Sequence, residues 1–209
     1  MRKSILAFTA AGAAALTFGA LHAQQGGPPP ALGTHDASKV AAGTYKADPN
    51  HTQVLYTYGH LGLTSNMGLL SGANGTLTLD PKAPNNAKLS IDVPVNTIHT
   101  SIAALDSELV GPMFFDAAKF PNAHFESTSV VAKGESATIN GNLTIHGVTK
   151  PATINAKFAA AGTNPMSKKE TIAFSGTATV NRADFGLGTA VPMVANKVDL
   201  TITAAFEKQ

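Results

Sequence analysis

The sequence contains no cysteine and no tryptophan. Without cysteine there are no disulfides, no thiol nucleophile and no cysteine-ligated metal, so stability must come from a packed core alone. Arginine is almost missing: after Arg2, the only one is Arg182, which limits bidentate recognition of phosphate to a single side chain. Charged residues make up only 13% of the chain and aromatic residues 6%. No GxSxG, HExxH or other compact catalytic signature occurs, and no motif asks for a cofactor.

What is present begins with MRKSILAFTAAGAAALTFGALHA, residues 1–23, where Arg2 and Lys3 precede a small-residue apolar run that ends on Leu21-His22-Ala23. This is the pattern of a secretory signal peptide. A membrane anchor is the rival reading, but Gly12, Gly19 and the lack of a basic stop after the run argue against a spanning helix. Removing the leader takes Lys plus Arg from 15 to 13, against 13 Asp plus Glu. A neutral chain without a basic patch is not built for nucleic acid or an anionic membrane surface. Residues 24–43 are rich in Gly, Pro and Ala and lack periodic apolar positions, which predicts a flexible tether. Residues 44–209 then form one domain, and the expected location is the periplasm.

Within that domain the hydrophobic period is two. Leu89, Ile91, Val93 and Val95 alternate with Lys88, Ser90, Asp92 and Asn96, giving a strand with one apolar and one polar face. The pattern returns at Val54–Tyr58, Leu77–Leu79, Ile139–Ile145, Ile154–Phe158, Ile172–Val180 and Val198–Phe206, and with AHFESTSVV this makes about eight strands. Turn residues fall between them at Ser71-Gly72, Asn74-Gly75, Pro81 to Asn86, Lys133 to Ser136, Gly147 to Lys150 and Gly162 to Lys169, so neighbours are antiparallel. Asn140-Gly141 reads as a bulge within a strand. Only SIAALDSELVGPMFFDAAKFP breaks the pattern, with Ile102, Leu105 and Leu109 at helical spacing and Gly111-Pro112 as a stop. The expected fold is all-β: an antiparallel eight-stranded barrel with a short helical insertion, closed because closure hides the apolar face and removes exposed edges.

A barrel of this size is either filled by side chains or holds one small ligand. Small residues recur on the inward faces, at Gly141, Ala152, Ala156, Gly176, Ala178 and Ala204. They leave an elongated apolar space unless bulky partners opposite interdigitate with them, and patterning alone does not decide between a hollow and a filled interior. Tyr56, Leu143, Phe158 and Phe174 are the inward residues placed to line a hollow.

Five ordered segments, ADPNHTQVLYTYGHLG, VNTIHTS, LDSELVGPMFFDAAKFPNAHFEST, GNLTIHGVTKP and VNRADFGLG, resemble the motifs of the YceI-like family of bacterial periplasmic proteins, from Tyr45 to Phe206. The resemblance implies a lipocalin-like barrel that binds polyisoprenoid chains or other long amphiphiles inside, with no established catalytic activity. The family commonly carries Arg-Asp and then His-Leu in the helical block. This chain instead has Leu105-Asp106-Ser107-Glu108-Leu109, and His99 where an acidic residue is frequent, so head-group preference does not carry over.

On this reading Phe114 and Phe115 lie where the helical excursion meets the barrel, either lining its cavity or plugging it. Phe120 and Phe125 anchor the return into the sheet, with Pro121 fixing the chain between them. Arg182 and Asp184, two apart, share a side of an extended strand. They form either a strand-end ion pair, or Arg182 stands at the barrel mouth and donates to a polar head group. His51, His60, His99, His124 and His146 show no metal-binding spacing, and hydrogen bonding to the backbone is expected of His51 and His60. The expected partner is therefore a long-chain isoprenoid or similar hydrophobic molecule; the competing readings are a stress-associated protein whose side-chain-filled barrel meets a partner on its exterior, and, further behind, a histidine-dependent enzyme. A homodimer stays open as an assembly state.

Overall fold

The computed structural model describes residues 33–209; the leader and the first part of the expected tether lie outside them. The strands are β1 (Gly33–Thr34), β2 (Gly43–Ala47), β3 (Gln53–His60), β4 (Thr64–Leu70), β5 (Asn74–Leu79), β6 (Lys88–Pro94), β7 (Asn122–Lys133), β8 (Ser136–Ile145), β9 (Val148–Thr163), β10 (Glu170–Asn181) and β11 (Val194–Lys208). Among the described residues a single α-helix, α1 (Ala103–Leu109), interrupts them.

Antiparallel pairing runs β2-β5-β6-β7-β8-β9-β10-β11 and returns from β11 to β2, which closes the sheet. The long β11 pairs with β3 through Val194–Thr203 and with β2 through Phe206–Lys208. β2 and β3 are thus two halves of one stave, as are β5 and β4, and the result is the closed eight-stranded barrel. The period-two pattern explains the closure: every stave has one apolar face, and α1 is too short to cover a flat sheet.

The barrel has two unlike ends. At one, Val40, Tyr45, Leu77, Phe158, Ala161, Ile172 and Phe206 form the buried core, with edge-to-face contacts joining Phe158, Phe174 and Phe206 at centroid distances of 6.0 and 6.2 Å. At the other end lie α1, the β3–β4 turn, the β8–β9 turn and the β10–β11 connection.

Three local expectations differ from the structure. Residues 33–43 of the expected tether are built into the barrel: β1 pairs with β9, Val40 is buried, and the Ala41 N–H donates to Glu170 Oε1 at 2.9 Å. Strand pairing, the hydrogen bond to Glu170 and the burial of Val40 together hold this segment. Asn74-Gly75 is not a turn but the start of β5. Gly75 has φ +144°, and a Cβ there would lie 2.1 Å from the Ser90 carbonyl oxygen, so the glycine permits a close strand approach. The bulge expected at Gly141 lies on the facing strand, where the register slips between Ser127 and Ser129. Gly141 is instead the space taken by the Phe125 ring, 2.5 Å from where a Cβ would stand.

Candidate functional site

A cavity of about 720 Å³ runs inside the barrel. Its wall is overwhelmingly aliphatic and aromatic, and its only charged residues are Glu135 and Arg182. Glu135 belongs to the β7–β8 turn and Arg182 follows β10, so the two charges stand at opposite ends. Ala152, Ala156, Gly176, Ala178 and Ala204 all face this space. Their small size keeps the interior from filling, because no tryptophan or other bulky partner takes up the volume opposite them. The competing reading of a side-chain-filled barrel is therefore not what the interior looks like.

Tyr56, Leu143, Phe158 and Phe174, expected to line a hollow, border this cavity, and so do Phe114 and Phe115, for which lining and plugging were both open, and Arg182, expected either in an ion pair or at the mouth. Phe158 and Phe174 stand at the aromatic end. The others lie toward the α1 end. Phe114 and Phe115 are half-buried and positioned by backbone turns, with Phe114 N–H donating to Gly111 at 3.1 Å and Phe115 N–H to Leu109 at 3.0 Å. Leu105 and Leu109 face the cavity as well, whereas Ile102 is the N-cap of α1 and is exposed. Phe120 anchors the excursion as expected: its ring meets His146 edge-on at 4.8 Å and fills the space over Gly147. Phe125 is buried but also borders the cavity.

The start of α1 is fixed by polar contacts that apolar patterning could not reveal. Asp106 accepts from the Thr100 hydroxyl at 2.6 Å and the Thr100 N–H at 2.7 Å, and its other oxygen is 2.9 Å from His99 Nδ1. The Thr100 hydroxyl leads in holding the Asp106 carboxyl below its ordinary range, with smaller help from the Thr100 N–H and His99. A bridge from Leu69 to His99 ties this loop to β4.

Arg182 corrects the strand-end ion-pair reading made of it. It lies in a 3-10 turn, Arg182–Phe185, rather than on a strand, and it makes no ion pair with Asp184. Its guanidinium donates to four backbone carbonyls: Nε to Ala195 at 2.9 Å, Nη1 to Thr189 at 2.9 Å and to Leu187, and Nη2 to Val194 at 2.8 Å. The arginine is a clasp that holds the β10–β11 connection against the barrel, with four of its five N–H groups spent on the chain itself. Burial pulls its pKa below the ordinary arginine value.

Tyr56 is 8% exposed, and its ring stacks on Tyr58 at 6.2 Å and 12°. Sequence reasoning missed its neighbour Gly68, as well as Tyr58, Phe185 and Leu187, which also border the cavity. Tyr58 was legible in the alternation with Val54 and Tyr56. Phe185 and Leu187 were not, since the turn that carries them has no period.

Most of the exposed large hydrophobic residues gather in the segments at the α1 end: Leu61, Leu63, Met67, Ile102, Met113, Val191 and Met193. Thr189 and Ala190, next to them, are exposed and border the cavity, so the cavity reaches the surface there. At the other end, exposed Glu135 and Ser136 also border it, giving a polar rim. The histidines are dispersed. His51 meets Asp48 at 2.6 Å, His99 meets Asp106 at 2.9 Å and His124 meets Asp92 at 2.9 Å, so the partner of His51 is a carboxylate, not the expected backbone. No helix among the described residues is long and apolar enough to cross a membrane.

Comparison with known proteins agrees with this architecture. Protein YceI of Salmonella arizonae is 35% identical over 174 residues, covering 82% of this chain and 90% of the relative. The crystal structure of Burkholderia cenocepacia BcnA superposes with a TM-score of 0.68 at 20% identity, over 76% of this chain and 98% of that one. A structure described as a polyisoprenoid binding domain from Saccharophagus degradans, implicated in plant cell wall breakdown, superposes at 0.59 with 13% identity, over 79% and 98%. At these identities the two structures speak for the fold alone. The model of the YceI-like domain matches residues 45–206, and with 35% identity to the Salmonella arizonae protein over 82% of this chain, the chain belongs to the YceI-like family.

Proposed function

We propose that this protein binds one long-chain isoprenoid or similar amphiphilic lipid with its tail in the barrel, and sequesters or carries it in the periplasm after export and loss of residues 1–23. The observation that carries this reading is the apolar cavity of about 720 Å³, a size within the usual range for small-molecule sites. The description of the Saccharophagus degradans domain as polyisoprenoid binding supports the choice of ligand class. The energetics favour a long tail. Burying a methylene contributes about 0.8 kcal/mol, while association costs about 4–15 kcal/mol, so a short tail barely binds and about sixteen buried carbons supply roughly 13 kcal/mol before those costs.

The apolar rim at the α1 end supports exchange of the lipid with a membrane surface. No catalytic step belongs to this reading. Titration with an isoprenoid series of increasing length tests it: affinity rises with each unit until the cavity is full and then levels off. A series without that trend, together with protein purified free of any extractable lipid, would remove the basis for the proposal.

A further inference from the structure

Methionine is among the residue types most often buried, yet all four methionines beyond the leader stand in solvent. Met67 is 58% exposed, Met113 66%, Met166 91% and Met193 60%. Three of them belong to the apolar rim at the α1 end. Met67 lies on β4 opposite Thr57, Met113 follows α1 just past Gly111-Pro112, and Met193 is tied to the β3–β4 turn, where the Leu61 N–H donates to its carbonyl at 2.7 Å. Met166 stands apart, in the β9–β10 turn near the opposite end. None of the four borders the cavity.

A thioether suits a rim that meets lipid, because it is unbranched, flexible and polarizable and adapts to an irregular partner. It is also the group of this chain most open to oxidation. With no cysteine anywhere, no thiol intercepts an oxidant, and susceptibility follows exposure. A peroxide or hypochlorous acid transfers one oxygen atom to the sulfur: the sulfur gives up an electron pair to form the S–O bond, the O–O or O–Cl bond breaks, and water, or chloride and a proton, departs. The product, methionine sulfoxide, is polar, and a polar group resists leaving water for an apolar layer.

We propose that Met67, Met113 and Met193 are an oxidation site that controls docking on a membrane. As thioethers they help the rim seat on a lipid surface and exchange the tail; as sulfoxides they release that surface, while the barrel keeps its fold and its interior. A membrane is the occupant because the rim is continuous with the opening of the apolar cavity at Thr189 and Ala190. The inference rests on the reading that this rim exchanges lipid with a membrane. A dithiol-dependent sulfoxide reductase reverses the change, the dithiol becoming a disulfide as the oxygen leaves as water.

The test compares purified protein before and after treatment with hydrogen peroxide, with peptide mass spectrometry locating the added oxygens. Stopped-flow uptake of a fluorescent polyprenol from phosphatidylcholine vesicles is expected to slow about tenfold on oxidation, the scale of three apolar contacts weakened together. Equilibrium affinity for the same polyprenol dispersed in detergent stays unchanged, and the reductase with dithiothreitol restores the uptake rate. A chain carrying Met67→Leu, Met113→Leu and Met193→Leu keeps its rim apolar and keeps its rate after peroxide, whereas Met166→Leu slows as the parent does. Oxidised parent protein that takes up lipid as fast as untreated protein overturns the proposal. So does an equal slowing of the triple leucine chain, a slowing that Met166→Leu prevents, or rim methionines that peroxide leaves unmodified. Uptake from vesicles by neither form, with the dispersed probe still bound, overturns membrane exchange itself, and failure to bind the dispersed probe overturns the tail-binding reading.

Discussion

Replacing Ala178 by phenylalanine puts a ring into the hollow. Ala178 faces the cavity on β10 opposite Leu200, beside the small residues Gly176, Ala156 and Ala152, so the added ring occupies space that a lipid tail would fill. Displacing about six tail carbons at about 0.8 kcal/mol each sets a ceiling near 5 kcal/mol. A tail that slides toward the rim recovers part of this, and a loss of about 2–3 kcal/mol, roughly 30- to 150-fold in affinity, is the working expectation. The folded state responds in the other direction. A tightly packed interior loses about 1–3 kcal/mol on such an insertion, whereas a hollow one accepts the ring with no loss of stability. Fluorescence titration with a long isoprenoid, alongside urea unfolding of the lipid-free protein, reads both quantities. Unchanged affinity combined with a destabilised fold would refute the reasoning, since it would mean the interior is packed and the ligand sits elsewhere.

The Arg182 clasp predicts that Arg182→Lys costs about 2–4 kcal/mol in urea unfolding, because one ammonium cannot serve four carbonyls held in a fork; stability equal to the parent would show the clasp to be idle. Glu170 predicts a pH effect. Burial raises its pKa, but donation from the Ala41 N–H, the Tyr45 hydroxyl and Lys208 more than offsets this and leaves the folded-state value below the ordinary 4.5. Its contribution is therefore present above about pH 4.5 and lost as the pH falls through the lowered folded-state value, and Glu170→Gln should flatten that part of the stability curve. The exposed rim predicts that Leu63→Asp slows lipid uptake from vesicles in a stopped-flow assay without changing equilibrium affinity for a soluble probe; an unaltered uptake rate would separate the rim from exchange.

The alternation of apolar and polar residues determined most of the architecture from sequence. Leu89, Ile91 and Val93, or Ile139, Leu143 and Ile145, can bury one face only as strands, and a chain with so little helix has to close that sheet on itself. Helical spacing of Leu105 and Leu109 located α1, although the same spacing misjudged Ile102, because three positions cannot say where a helix begins. The hollow was legible only as a question, since Ala152, Ala156, Gly176 and Ala178 fit a tapering filled barrel as well as an empty one. Tertiary structure decided it, because volume depends on which residues face each other across the barrel, and that is fixed by register rather than by period. It also decided Arg182, whose partners are backbone carbonyls five to thirteen residues along the chain and carry no side-chain signature. The same holds for Tyr56: the sequence put its ring inside, but only the packing of Gly68 and the His99 loop left its hydroxyl without a partner, because hydrogen-bond satisfaction is a property of neighbours in space.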